Sequence, residues 1–499
     1  MKKHHVIFLT TAIFTVLFYE QSVGLNLAIF GLILTALVYF TSNHIVMNRT
    51  FYVLMAASIG SCVAFAWYGD LTSFFAVVLS LSLFVFRSRS ANLKPVFALI
   101  VIPINALFSV FSIFAFNKWL PKSQKNTNFW KKLFAYFVIP LVFVIIFFAV
   151  YASGSEHFAN FIAKLEWNIN IGQVILIALL GLYLMYSFWN HSGKFLEKPS
   201  RLFKNDFTKT PDTEKSTFSF IDIQMERTSG MISFVCLNVL LLIFVITFNY
   251  EQFFEQSINL KTEIHERVNT VIFSIIMAIA LILFYFRGGF NFDTKANRVK
   301  ILAKIWIVLN AALVFSAFAK NTEYIYKTDM LTYKRLGVYA FLILSLIGLI
   351  YTFLKIQKRK TNAFLFNKMF WYFFGTLLVC SFVNWGGIIT RYNMSKEKFD
   401  FSYHLNSVDY NEKILLRYAE QNNDTIETYK NKPAVDCVYQ HLCYRYIFAD
   451  KRSQLLSKLL YFETLPIDKS KAEYIYWNTE ETKTTDETDT KSDNRKNIN

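Results

Sequence analysis

The sequence predicts an all-α fold: a polytopic helical membrane protein of about 11–12 hydrophobic segments with a small C-terminal helical extramembrane segment. Three observations predict it. Residues 1–390 carry about a dozen long apolar runs separated by short polar loops. The 499-residue chain is 54% hydrophobic and 18% aromatic, with 54 Phe and a mean hydropathy of +0.33, above the roughly 45–50% apolar share of soluble domains. The runs do not alternate between apolar and polar residues, as strands of a membrane barrel would. A helix satisfies its own backbone groups in lipid and spans the ~30 Å hydrocarbon core with about 20 residues.

Taken in order, the runs are 6–20, 24–40, 51–69, 71–86, 93–116, 133–151, 173–190, 230–250, 268–286, 300–319, 335–356 and 368–390. The first follows Met1-Lys2-Lys3-His4-His5 and resembles a signal peptide, but no small-x-small cleavage site follows. It reads as an uncleaved first span. Pro103, Pro140, Gly181 and Gly348 sit within runs, as membrane helices tolerate.

The net charge of +17 is confined to the membrane part. Residues 1–390 hold 35 Lys and Arg against 17 Asp and Glu, whereas 391–499 hold 17 against 18. Basic residues in short loops orient a membrane protein, so no nucleic-acid partner is expected; the lipid bilayer is the partner. The stretches 191–229, 287–299 and 357–367 are basic and belong in the cytoplasm; 251–267, with Glu251, Glu255, Glu263 and Glu266, belongs outside. Counting along the spans places the N-terminus inside and the C-terminus outside. Run 93–116 is basic on both flanks, from Arg87 to Lys94 and from Lys118 to Lys132. Its centre, Ile102-Pro103-Ile104-Asn105, can interrupt a helix. It is therefore read as re-entrant or interfacial, which leaves eleven crossings; an ordinary span is the alternative. Residues 152–172 are too polar to cross, and Phe158, Phe161, Ile162 and Leu165 share one helical face, a pattern for a helix lying on the outer surface.

The chain thus divides into a membrane domain at 1–390, a small extramembrane helical segment at 391–477 and a polar tail at 478–499 with too few apolar residues to fold. Helices are expected at 411–421, 435–446 and 451–462, the last capped by Asp450. Cys437 and Cys443 are in an oxidising compartment on this topology, which suggests a disulfide. On a continuous helix they would be about 9 Å apart along the axis, beyond bridging reach; a bridge requires the helix to break between them. Cys437 and His441 share a face, but two ligands do not make a metal site, and neither metal nor cofactor is expected.

The candidate site is a polar cluster on the outward side: His265, Glu266, Arg267, Asn269, Lys320, Lys334, Arg335 and Asn384. His265-Glu266 resembles the start of a zincin motif but has no second His at the required spacing. Ionisable residues at membrane depth are functional candidates, while acids at a helix start also complement the macrodipole. The stretch 320–339 is cationic on a face expected to be poor in Lys and Arg. Lys334 and Arg335 either pair with acids such as Asp70, Glu251 or Glu266 or bind an anionic ligand such as a lipid headgroup. Asn238, Asn310 and Asn384 read as interhelical glue or as a substrate path, and Trp385-Gly386-Gly387 as a close helix contact or a hinge.

The segments Phe18-Tyr19-Glu20-Gln21-Ser22-Val23-Gly24-Leu25-Asn26 and Leu331-Thr332-Tyr333-Lys334-Arg335 with Tyr339 resemble a family of bacterial multi-pass inner-membrane proteins catalogued only as a domain of unknown function. Its members carry a tyrosine-glycine-leucine-threonine…arginine signature before a late span; here Asp329-Met330 stands where the tyrosine-glycine would be. The resemblance implies a bacterial cytoplasmic membrane and no activity. Three classes of function stay open: a membrane scaffold, sensor or lipid-interacting protein with an outward site, reading anionic headgroups or a periplasmic protein; a transporter with a path through Asn238, Asn310, Asn384 and His265; and an envelope-lipid-modifying enzyme. The absence of a carboxylate midway along the spans argues against ion-coupled transport.

Overall fold

The computed structural model describes residues 3–43, 47–89, 94–115, 119, 139–140, 142–143, 147, 170–190, 200, 202–207, 221–254, 260–396, 399–422, 433–443 and 454–467. Among them there is no strand. Among the described residues, eight helices are long and apolar enough to cross a membrane, and three shorter ones are similarly apolar. The protein is an all-α polytopic membrane protein. Eleven of the twelve predicted runs coincide with these helices. Run 133–151 and the surface helix expected at 152–172 fall almost wholly outside the described residues, and the polar tail at 478–499 falls outside entirely.

The chain divides into two compact units: Met1–Glu20 with Ile102–His191, and Gln21–Val101 with Ser192–Asn499. In the first, α1 (Lys3–Phe18) packs on a later helix at Ile171–Trp189. Gly181 lets the two approach, Trp189 Nε1 donates to Thr10 Oγ1 at 3.2 Å, and Tyr19 Oη accepts from the Asn170 amide at 2.8 Å.

In the second unit, α2 (Leu25–Thr41), α3 (Arg49–Tyr68) and α4 (Leu71–Arg89) pack on one another. Helix α5 (Ala98–Ser112) follows a 3-10 turn at Pro95–Phe97 and carries the boundary between the units. It runs unbroken through Pro103, so the interruption expected there does not occur. A proline forfeits one hydrogen bond, and a helix in lipid that keeps its remaining bonds is favoured over one that exposes several more backbone groups. The chain continues with α6 (Ile171–Trp189), α7 (Ile223–Phe254), α8 (Leu260–Tyr285), α9 (Asn297–Thr328), α10 (Tyr333–Gln357) and α11 (Asn362–Phe382). Helices α7 to α10 share a core of Phe234, Ala278, Ile282, Leu313, Leu342 and Leu349. Their outward faces carry exposed Leu240, Ile246, Phe273, Val308 and Ile343, which suits a surface solvated by acyl chains.

The run read as 368–390 is two helices. Val383 is extended, and Asn384 caps a new helix, α12 (Trp385–Met394), by accepting from the Gly387 amide at 2.7 Å. The break lets the Gly386 backbone lie against the Asp409 carbonyl, where a Cβ would collide; the Trp385-Gly386-Gly387 stretch is thus a close contact. Beyond α12 stand α13 (Phe401–Ser407), α14 (Glu412–Gln421), α15 (Ala434–Leu442) and the short α16 (Leu460–Glu463). Helix α13, capped by Asp400, is absent from the sequence reading. In place of the helix expected at 451–462, residues 454–459 form a turn and an extended stretch before α16; Asp450 lies outside the described residues. Leu415, Leu416, Val438, Leu442 and Phe462 form the small core of this segment.

The C-terminal segment is held against the ends of α2 and α3. Leu25 and Asn26 donate their amides to the carbonyls of Lys458 (3.0 Å) and Leu456 (2.8 Å). Ser457 Oγ accepts from the Ser22 amide at 2.9 Å, and Tyr410 Oη donates to the Tyr68 carbonyl at 2.5 Å. A Cβ on Gly24 would collide with the Ser457 carbonyl. The described residues between 391 and 467 therefore fold with the second unit.

Candidate functional site

The turn between α9 and α10 is a polar feature of the second unit built from two helix ends. Helix α9 ends on Asp329 in the left-handed region (φ 52°), a conformation that Asp and Asn tolerate better than other non-glycine residues. The chain reverses, and Thr332 caps α10 by accepting from the Arg335 amide through its hydroxyl. Leu331, between these two features, is buried with Ile325, Ile389 and Val408.

The backbone of Leu331 is gripped on both sides by one side chain. Its N–H donates to Asn393 Oδ1 at 2.7 Å, and its carbonyl accepts from Asn393 Nδ2 at 3.0 Å. This pairing fixes which way the Asn393 amide faces. Nδ2 also lies 3.0 Å from His404 Nε2. Since Nδ2 can only donate, Nε2 must accept; the His404 proton is then on Nδ1 and is donated to Thr390 Oγ1 at 3.0 Å. Asn411 Nδ2 closes the network with bonds to Thr390 Oγ1 (3.0 Å) and the His404 carbonyl (2.9 Å). All four side chains are buried, and Phe399 stacks on the imidazole at 4.8 Å. Burial lowers the His404 pKa to about 4, in keeping with a neutral ring that has no room for a second proton.

Close by in sequence, Glu412 opens α14 almost fully buried (2% exposed). Burial pushes its carboxyl up to about 7, against hydrogen bonds that include one from Tyr461. Its Oε2 has no partner among the described residues.

The predicted site residues separate into three places. Lys320, Lys334 and Arg335 lie at the α9–α10 turn. Arg335 is buried (5% exposed), with its guanidinium over the Tyr324 ring at 3.7 Å. Lys320 is buried, with Nζ 3.4 Å from Glu323, and Lys334 is exposed. Asn384 is spent on capping α12 and on donating to the Tyr410 carbonyl at 2.9 Å. His265, Glu266, Arg267 and Asn269 lie in the first turns of α8, and their side chains are outside the described residues. The pairing of Arg335 with Asp70 is not formed: Asp70 caps α4 through the Ser73 amide at 2.8 Å. Cys437 and Cys443 are buried, and the sulfurs are not joined to one another. Helix α15 runs without a break up to its Cys443 C-cap, itself in helical conformation, and holds positions six residues apart on different faces.

Asn393, His404, Asn411 and Glu412 escaped the sequence reading. They are spread over three helices and have no fixed spacing. The one local signal was Asp400 as a cap three residues before Tyr403, which marks α13 and puts His404 on its buried face.

Neither a curated protein nor a solved structure matches the chain. A family model does, over residues 29–416. The matched region takes in Leu331–Arg335, Asn393, His404 and Glu412, and leaves Phe18–Asn26 outside it. It ends within α14, so the polar network tying the α9–α10 turn to α12 and α13 lies wholly inside a single matched domain. The chain belongs to the family defined by the domain of unknown function DUF4153.

Proposed function

We propose that this protein is a non-catalytic membrane scaffold or sensor, with the α9–α10 turn and the C-terminal segment forming its recognition end on the periplasmic side of a bacterial inner membrane. One observation carries the reading: the segment after α12 is tied into the membrane part by the buried Leu331–Asn393–His404–Thr390–Asn411 network. The bonds that hold this segment also hold the turn that opens α10. The charge pattern supports the sidedness. The opposite ends of α7, α9 and α10 hold Arg227, Lys295, Arg298, Lys355 and Arg359, and Lys and Arg gather on the cytoplasmic side.

A transport path is less well supported. Asn238 Nδ2 donates to the carbonyls of Phe234 (2.7 Å) and Leu302 (3.0 Å). Asn310 donates to the Trp306 carbonyl at 2.8 Å and accepts from Ser274 Oγ at 3.1 Å. These amides join helices, with Asn384 capping a third.

The test deletes residues 399–467 and, separately, replaces Asn238, Asn310 and Asn384 with Ala. The scaffold reading expects the deletion to abolish the cellular phenotype while the remaining chain still inserts, and the Ala variants to lose thermal stability. Wild-type stability in all three Ala variants together with altered solute flux in proteoliposomes would overturn it. Reporter fusions at residues 125 and 450 test sidedness; a cytoplasmic signal at 450 inverts the map.

A further inference from the structure

Among the described residues, Glu323 is the one acid in an ion pair at the α9–α10 turn, shared by Lys320 (3.4 Å) and Lys327 (2.5 Å). Arg335, 5% exposed, has no carboxylate within ion-pair distance and no acceptor for its guanidinium among the described residues. Among the described residues two cations here rest on aromatic faces: Arg335 over Tyr324 at 3.7 Å, and Lys396 over Tyr326 (5.6 Å) and Tyr392 (5.2 Å). Asn321 beside them donates to the Arg335 carbonyl at 3.3 Å, and its buried Oδ1 has no partner among the described residues.

A guanidinium cannot discharge itself by losing its proton. The guanidinium nitrogens are not among the fully buried polar atoms, so the charge faces the surface of the turn; a charge this largely withdrawn from water without a counter-charge is costly, and stacking on tyrosine recovers only part of that cost. Thr332 holds the first turn of α10 in register, and the stacking sets the plane of the guanidinium, so its donors are fixed in direction before any ligand arrives. A planar fork of this kind matches the paired oxygens of a phosphate. The turn lies where two spans end, with Tyr326 and Tyr333 exposed beside it, the depth at which headgroup phosphates and interfacial tyrosines are found.

We propose that Arg335 is a binding site for a phosphate group, carried by an acidic phospholipid headgroup or by a soluble phosphate. The proposal concerns ligand binding and does not depend on whether the C-terminal segment recruits a partner.

The test uses the full-length protein in neutral detergent. Short-chain phosphatidylglycerol, short-chain phosphatidylcholine and inorganic phosphate are each titrated while thermal unfolding is followed. A saturable rise in Tm with phosphatidylglycerol but not phosphatidylcholine supports a headgroup site. An equal rise with inorganic phosphate supports the same site filled from solution. In either case Arg335→Gln should weaken binding by about tenfold or more, the loss of a charge-assisted pair, and Arg335→Lys, which keeps the charge without the fork, should fall between. No saturable shift with phosphatidylglycerol or phosphate, or an unchanged affinity in Arg335→Gln, overturns the proposal. If Arg335→Gln does not fold, wild-type affinity in Arg335→Lys overturns it equally.

Discussion

The amide of Asn393 holds the backbone of Leu331 by both its N–H and its carbonyl, at 2.7 and 3.0 Å, across a sequence separation of 62 residues. Asn393→Leu removes both bonds and the donor to His404 Nε2, and leaves buried polar groups unpaired. The expected loss is on the order of 3 kcal/mol, read as a lowered Tm of the purified protein. An unchanged Tm would show that the turn is held by its apolar contacts alone.

His404 predicts a pH dependence. Its folded pKa is lowered from 6.5 to about 4, so the unfolded chain binds the proton first as pH falls. The contribution of His404 to stability is complete above about pH 6.5 and is lost as pH drops toward 4. His404→Phe should flatten this part of the stability profile, although it also lowers stability at neutral pH by orphaning Asn393 and Thr390. Unfolding midpoints of both proteins between pH 4 and 7 check this.

Glu412 acts with the opposite sign. Its folded pKa is raised from 4.5 to about 7, so its contribution is complete below pH 4.5 and is lost as pH rises through 7. Glu412→Gln keeps the shape and removes the titration. It should unfold at a higher temperature than wild type at pH 8 and at nearly the same temperature at pH 4.5. Equal gains at both values would contradict the assignment.

Gly24→Val places a side chain against the Ser457 carbonyl and should detach residues 454–459 from the loop before α2. Limited proteolysis of membranes should then cut near 454–459 faster than in wild type, by about tenfold for each 1.4 kcal/mol lost from the docked state. Wild-type cleavage rates would mean that the segment is held elsewhere.

Both C-terminal cysteines should resist modification. Cys443 is buried, and burial pushes its thiol up to about 11; the thiolate is the reactive form. Maleimide labelling of Cys437 and Cys443 should be slow in the native protein and fast after unfolding, with equal mobility on reducing and non-reducing gels.

The membrane helices were legible because an apolar run of sufficient length in lipid has one way to satisfy its backbone. Their ends were less so. Helix α9 continues past the run at 300–319 to Thr328, since a helix need not stop where lipid does. The single run at 368–390 hid the cap at Asn384, which works only because the Asp409 and Tyr410 backbones come to meet it. In the cationic stretch 320–339 the charge imbalance was visible, and Arg335 emerged from it. Its seat on Tyr324 was not, because that contact crosses from one helix to the next.

The amino-acid sequence by itself determined the class, the course of the spans and the basic ends of the helices, all of which follow from local hydropathy and charge. Only the tertiary structure decided that the segment after α12 folds onto the bundle and that Asn393, His404, Thr390 and Asn411 form one network. Those bonds join residues as far apart as Gln21 and Ser457, 436 positions in the chain. A hydrogen bond between such partners depends on how whole helices pack, which no window of neighbouring residues contains.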